Sequence, residues 1–119
     1  MNRRAVGTWG EAQVAEYLRK KGYTILASSY HCAYGEIDLI AQKKKLLCFV
    51  EVKLRSNLDF GLPREFVTPA KQRRIRATAG MYMSVNELDC PVRFDVAAVY
   101  TDADYDPKSM RIEYLEDAF

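Results

Sequence analysis

At 119 residues, with 49% apolar and 29% charged side chains, the chain has the composition of one globular domain over 1–119 and is too apolar to be disordered. No apolar run approaches the roughly 18–20 residues of a bilayer-spanning helix, and the basic start, Asn2-Arg3-Arg4, lacks the apolar core of an export signal. Net charge is only +2 but uneven: residues 1–101 carry 16 Lys/Arg against 10 Asp/Glu, and residues 102–119 carry 2 against 6. The body is therefore basic and compatible with a polyanionic partner.

In chain order, the segment from about Arg3 to Lys21 reads as a helix, stopped by Gly22 ahead of the β-prone Tyr23-Thr24-Ile25-Leu26. Two strand-like runs follow, Glu36 to Ala41 and Leu46 to Lys53, with Gln42-Lys43-Lys44-Lys45 suited to a hairpin loop. Residues 54–67, with Gly61 and Pro63, show no clear period and read as a loop. Thr68-Pro69 then supplies an N-cap and a first-turn proline. The helix it starts is expected to reach about Ser84, with Ile75, Ala79 and Tyr82 inward. Val92 to Tyr100 and Arg111 to Leu115 read as strands, joined across the Asp106-Pro107 turn signal. The order α-β-β-β-α-β-β specifies an α/β fold, a mixed sheet flanked by helices.

Cys32, Cys48 and Cys90 are an odd number at spacings no zinc site uses, and His31 is the single histidine. Three reduced thiols in a cytoplasmic protein are expected.

The stretch 36–53 carries the chemistry. Alternation puts Glu36, Asp38 and Ile40 on one strand face and Ile37, Leu39 and Ala41 on the other. Phe49, Glu51 and Lys53 share a face of the next strand. A hairpin centred between Lys44 and Lys45 sets Asp38 opposite Glu51 and Glu36 opposite Lys53. Paired carboxylates among apolar neighbours repel, and a bound magnesium or manganese ion turns that repulsion into attraction. Lys53 then lies beside the ion, where it can orient a water or stabilise charge on a phosphate. The plainer reading is a Glu36–Lys53 ion pair with Asp38 and Glu51 solvated. Glu11 shares a helical stripe with Ala15 and Leu18 and either contributes to the same site or lies at the stripe's edge.

Lys71, Arg73, Arg74 and Arg76 cluster in the first turns of the second helix, and Lys43, Lys44 and Lys45 cap the hairpin. Both groups are candidates for phosphate contact, with Gln72 beside Lys71. Arg93 and Asp95 share a strand face, and a structural ion pair with a neighbouring strand is the preferred reading.

Asp38, a twelve-residue gap and Glu51-Val52-Lys53 resemble the PD-(D/E)xK signature of restriction-endonuclease-like enzymes and archaeal Holliday junction resolvases. The strings Gly35-Glu36-Ile37-Asp38-Leu39-Ile40-Ala41 and Phe49-Val50-Glu51-Val52-Lys53 are closer still to the YraN-like family of small bacterial predicted nucleases. So are Gly10-Glu11, Gly22-Tyr23, Thr68-Pro69-Ala70-Lys71-Gln72, Arg93-Phe94-Asp95-Val96 and Ala118-Phe119. Ile37 stands where the signature has its proline, as in the resolvase branch, and Ser29 and His31 replace the family's usual Asn and Arg.

The resemblance implies a restriction-endonuclease-like mixed sheet of four to five strands. It makes Asp38, Glu51 and Glu11 metal-binding acids, Lys53 the catalytic lysine and the Val52 carbonyl a further ligand. Mg²⁺- or Mn²⁺-dependent phosphodiester hydrolysis in nucleic acid follows, with structured or branched DNA the expected substrate and no membrane partner. Junction-cutting enzymes of this type are usually dimers, which leaves oligomeric state open, with a homodimer one alternative. The alternative is a non-catalytic nucleic-acid-binding or adaptor protein that keeps the fold.

Overall fold

The computed structural model of the chain describes residues 2–56, 67–102 and 105–119. Helix α1 (Arg3–Lys20) opens on Asn2, whose side chain accepts the Ala5 N–H at 2.8 Å. It closes where Gly22 takes φ +94° and the N–H groups of Gly22 and Tyr23 donate to the carbonyls of Arg19 and Leu18. That is a Schellman stop, and glycine is what its backbone requires. Strands β1 (Thr24–Cys32), β2 (Gly35–Lys43) and β3 (Leu46–Ser56) follow as an antiparallel meander.

Helix α2 (Pro69–Val85) starts at Thr68, whose hydroxyl accepts the Lys71 N–H. It carries the chain across to β4 (Val92–Thr101), which runs parallel to β3. A 3₁₀ turn at Pro107–Ser109, capped by Asp106, leads to β5 (Arg111–Leu115). The sheet order is β1-β2-β3-β4-β5, the restriction-endonuclease-like arrangement that the resemblance implies. The expected loop at 54–67 gives way to strand as far as Ser56, and its centre, 57–66, lies outside the described residues.

Each sheet face buries its own cluster. α1 covers Leu39, Ala41, Cys48, Val50, Ala97 and Val99 with its Val14, Ala15 and Leu18. α2 covers Ile37, Ile40, Leu47, Phe49, Phe94 and Val96 with Ile75 and Ala79. Strict alternation along β2 therefore fails, because Ile37 faces α2 while Leu39 and Ala41 face α1. The cause lies in β1, where Ser29 takes a left-handed φ of +50°. Its neighbours pair as Ser28↔Leu39 and Tyr30↔Ile37 with no bridge at Ser29 and Asp38, and both strands change phase there.

The β2–β3 register is the expected one from Lys43↔Leu46 to Leu39↔Val50, around a turn at Lys44 (φ +55°). The ladder then ends, one step short of Asp38 and Glu51. Among the described residues no helix is long and apolar enough to cross a membrane. All three cysteines are free thiols; Cys48 is buried, and Cys32 and Cys90 are half-buried.

Candidate active site

Where β2 and β3 part, Asp38 fills the fork. Its Oδ2 accepts the Val52 N–H at 2.8 Å, so a side chain takes over the bond the ladder has given up. Glu51 comes in from β3 and is 5% exposed. The two carboxyl groups lie within hydrogen-bonding reach, and burial first, then the Glu51 charge, pushes Asp38 up to about 7. Asp38 therefore holds its proton to a higher pH than a carboxyl in water does.

Two lysines sit on the same oxygen. Nζ of Lys53 is 3.6 Å, and Nζ of Lys71 is 3.5 Å, from Oε1 of Glu51. Lys53 shares the α2-facing side of β3 with Phe49 and Glu51, as alternation requires. Lys71 reaches Glu51 from the first turn of α2. The acid–acid–lysine set expected from the hairpin is thus assembled, with a second ammonium group that the sequence placed only among phosphate contacts.

Glu11 approaches from α1 on the other side of Asp38. Its carboxylate accepts the Ser29 hydroxyl at 3.0 Å and is raised by burial and by Asp38. Among the described residues no three His, Cys, Asp or Glu side chains are grouped closely enough to hold an ion. Glu11 holds the Ser29 hydroxyl and lies near enough to Asp38 for the two acids to repel. Val52, expected to offer a carbonyl, is seen to give its N–H to Asp38.

The predicted Glu36–Lys53 opposition does not form, because the ladder has ended before it; Glu36 meets His31 at 3.5 Å instead. A cleft of about 380 Å³ opens beside Asp38 and is lined by Arg3, Arg4, Glu11, His31 and Glu36 among others. Arg3 and Arg4 went unread in the sequence because their only signal is position, seven and eight residues before Glu11 on one helix.

The other basic candidates scatter. Arg73 and Arg74 are exposed, and Arg74 lies against the β1–β2 hairpin at Gly35. Arg76 lies over the rings of Phe94 and Phe119 at 4.6 and 5.7 Å, so its guanidinium caps the α2-side core. Gln72 donates to the Val67 carbonyl, tying down the start of α2. Lys43, Lys44 and Lys45 are at the far end of the hairpin. Lys44 is six positions along the chain from Asp38, roughly 20 Å, and Lys43 packs over Tyr23.

Asp95, on the sheet face opposite Glu51, is a structural anion. Fully buried, it accepts from Arg93 at 2.8 and 2.9 Å, the Tyr114 hydroxyl at 2.6 Å and the Asp117 N–H at 3.0 Å. The ion pair is within β4, and it is Tyr114 that ties in the neighbouring strand.

A family profile described as "Uncharacterised protein family UPF0102" matches residues 10–99. A UPF0102 protein of Flavobacterium psychrophilum is 45% identical over 114 residues, covering 96% of this chain and 92% of that one. One from Dictyoglomus thermophilum is 41% identical over 120 residues, the whole of both chains. The chain belongs to the UPF0102 family. This is the YraN-like family whose motifs the sequence resembles. The UPF0102 profile takes in Glu11, Asp38, Glu51, Lys53 and Lys71 but starts after Arg3 and Arg4.

The donor set suits a hard divalent cation on its chemistry. Asp38 and Glu51 offer hard oxygen donors side by side, and an ion such as Mg²⁺ or Mn²⁺ would offset the repulsion that helps to raise Asp38.

Proposed function

We propose that this UPF0102 protein is a divalent-cation-dependent nuclease that hydrolyses phosphodiester bonds in DNA, structured or branched DNA above all. What supports the reading is one juxtaposition: a carboxyl pair in the fork of β2 and β3, Glu51 buried and Asp38 half-buried, with two ammonium groups within 3.6 Å of Glu51. A stability-driven core gains nothing from two adjacent acids drawn out of water, whereas phosphoryl transfer needs anionic ligands for a metal and cations for the phosphate.

Asp38 and Glu51 would hold the ion, and the Val52 carbonyl is the further ligand proposed. Bound there, the ion supplies Lewis-acid stabilisation of phosphate charge and acidifies water. Lys53 orients the attacking water and stabilises the charge that builds on the phosphate oxygens. Glu11 positions Ser29 and, as a third carboxylate beside Asp38, makes an outer or direct contribution to the same ion. The cleft lined by Arg3 and Arg4 receives the backbone of the nucleic acid beside the scissile bond.

The test is cleavage of branched, flapped and linear DNA, and of RNA, with Mg²⁺ or Mn²⁺. Lys53→Ala should lose on the order of 100-fold or more in rate while keeping its fold. Equal activity in that variant traces the cutting to a contaminant. Binding without cutting in the unaltered protein, with either ion, returns the chain to a non-catalytic nucleic-acid-binding role.

A further inference from the structure

Glu51 Oε1 is shared by two ammonium groups that differ in how they are held. Lys53 stands on β3, two residues from Glu51 along the same strand face. Its side chain is 26% exposed. Lys71 hangs from the first turn of α2, where only its backbone is fixed, by the Thr68 hydroxyl, and its side chain is 35% exposed. Without a cation both lysines offset the charge of a carboxylate that is almost wholly buried. A divalent ion shared by Asp38 and Glu51 would meet both at short range in a partly desolvated fork, where like charges repel strongly. Both lysines have flexible four-carbon stems, but Lys53 is the less exposed and stands two residues from Glu51 on one strand face, so it has the less room to withdraw. Lys71 is the more exposed and reaches in from another element, so it is the one free to swing toward solvent.

We propose that Lys71 is a tethered counter-ion: it occupies Glu51 while the acid pair holds no metal, is displaced when a divalent cation binds, and then contacts a backbone phosphate of the nucleic acid. This rests on the nuclease reading above and adds to it a coupling between cation loading and substrate binding. Exposed Arg74, one turn further along α2, is placed to extend the same phosphate track.

The two halves of the proposal have opposite signs, which a purely structural lysine does not produce. Calorimetric titration with Mn²⁺ alone should show Lys71→Gln binding the ion about threefold or more tightly than the unaltered protein, because a competing charge is gone. Lys71→Met, which keeps the aliphatic stem, should do the same, and Lys71→Arg should stay near the original affinity.

Binding of a flapped DNA in Ca²⁺ across a salt series should then be weaker for Lys71→Gln, with the log–log slope shallower by about 0.7–0.9, one phosphate contact. Mn²⁺ affinity that is unchanged or reduced in both neutral variants overturns the proposal, and so does an unchanged salt slope. If the unaltered protein takes up no Mn²⁺, the acid-pair reading itself fails and carries this one with it. If it takes up Mn²⁺ and only the variants disagree, the role of Lys71 alone falls.

Discussion

Asp38 concentrates the physics of the site in one residue. Its carboxyl ionises near 3.8 in an unfolded chain and near 7 in the folded one, through burial and the Glu51 charge. Between those values the unfolded state has released a proton that the folded state still holds. Folding is therefore penalised progressively as pH rises from about 4 to 7, and fully above 7. Asn at this position has no proton to lose, can still accept the Val52 N–H and can donate to Glu51. In the absence of divalent cation, Asp38→Asn should melt about 5 °C or more above the parent at pH 8, on the order of 2 kcal/mol, with the gap closing toward pH 4. Mn²⁺ should raise the melting temperature of the parent and leave the variant unmoved. A gap that is flat with pH, or reversed in sign, contradicts the repelling acid pair. The pair was legible because two acids in apolar strands are out of place. Lys71 as its partner was not, because helical spacing says nothing of how far α2 lies from β3.

At the scale of elements, the distance between α1 and the sheet decides whether Glu11 and the two arginines reach the fork. Gly10 sets it. A Cβ there would lie 3.1 Å from Cγ and 3.2 Å from Cδ1 of Leu54 on β3, closer than ordinary contact. Gly10→Val should push the helix outward and cost about 1–3 kcal/mol in urea unfolding. It should also weaken the Ser29–Glu11 bond, seen as faster hydrogen exchange around Ser29. An unaffected variant would mean that the helix is not seated on Leu54. The elements themselves were largely readable. Caps, Gly22, Thr68-Pro69 and the lysine turn mark their ends with local chemistry, and the hairpin register followed from its loop. β1 was read as four residues instead of nine because, as an edge strand with an exposed face, Ser28 to Cys32 lack an apolar signature. The phase change at Ser29 and Asp38 was hidden for a related reason: nothing in a serine announces a left-handed backbone, and strict alternation is the only rule a strand sequence offers.

Across the whole molecule, both helices bring their N-terminal ends to the acid pair from opposite faces of the sheet. Arg3 and Arg4 arrive on α1 and Lys71 on α2, and neither helix has an acid in its first turn. Cations there oppose the helix dipoles, an arrangement that costs stability until an anion lies between them. The opposite end of the sheet carries Lys43, Lys44 and Lys45, but Lys43 is already packed on Tyr23 and none is near Asp38. If nucleic acid is held where the acids can act on it, its phosphates should register the first group of cations and ignore the second. Fluorescence anisotropy of a labelled flapped DNA over a salt series separates the two. The double variant Arg3→Gln/Arg4→Gln should lose about tenfold in affinity at low salt and flatten the log–log slope by about 1–2. Lys43→Gln/Lys44→Gln/Lys45→Gln should change the slope by less than about 0.5. The reverse pattern would put the polyanion at the hairpin tip, roughly 20 Å from the carboxyl pair, and would separate binding from the site that is meant to cut.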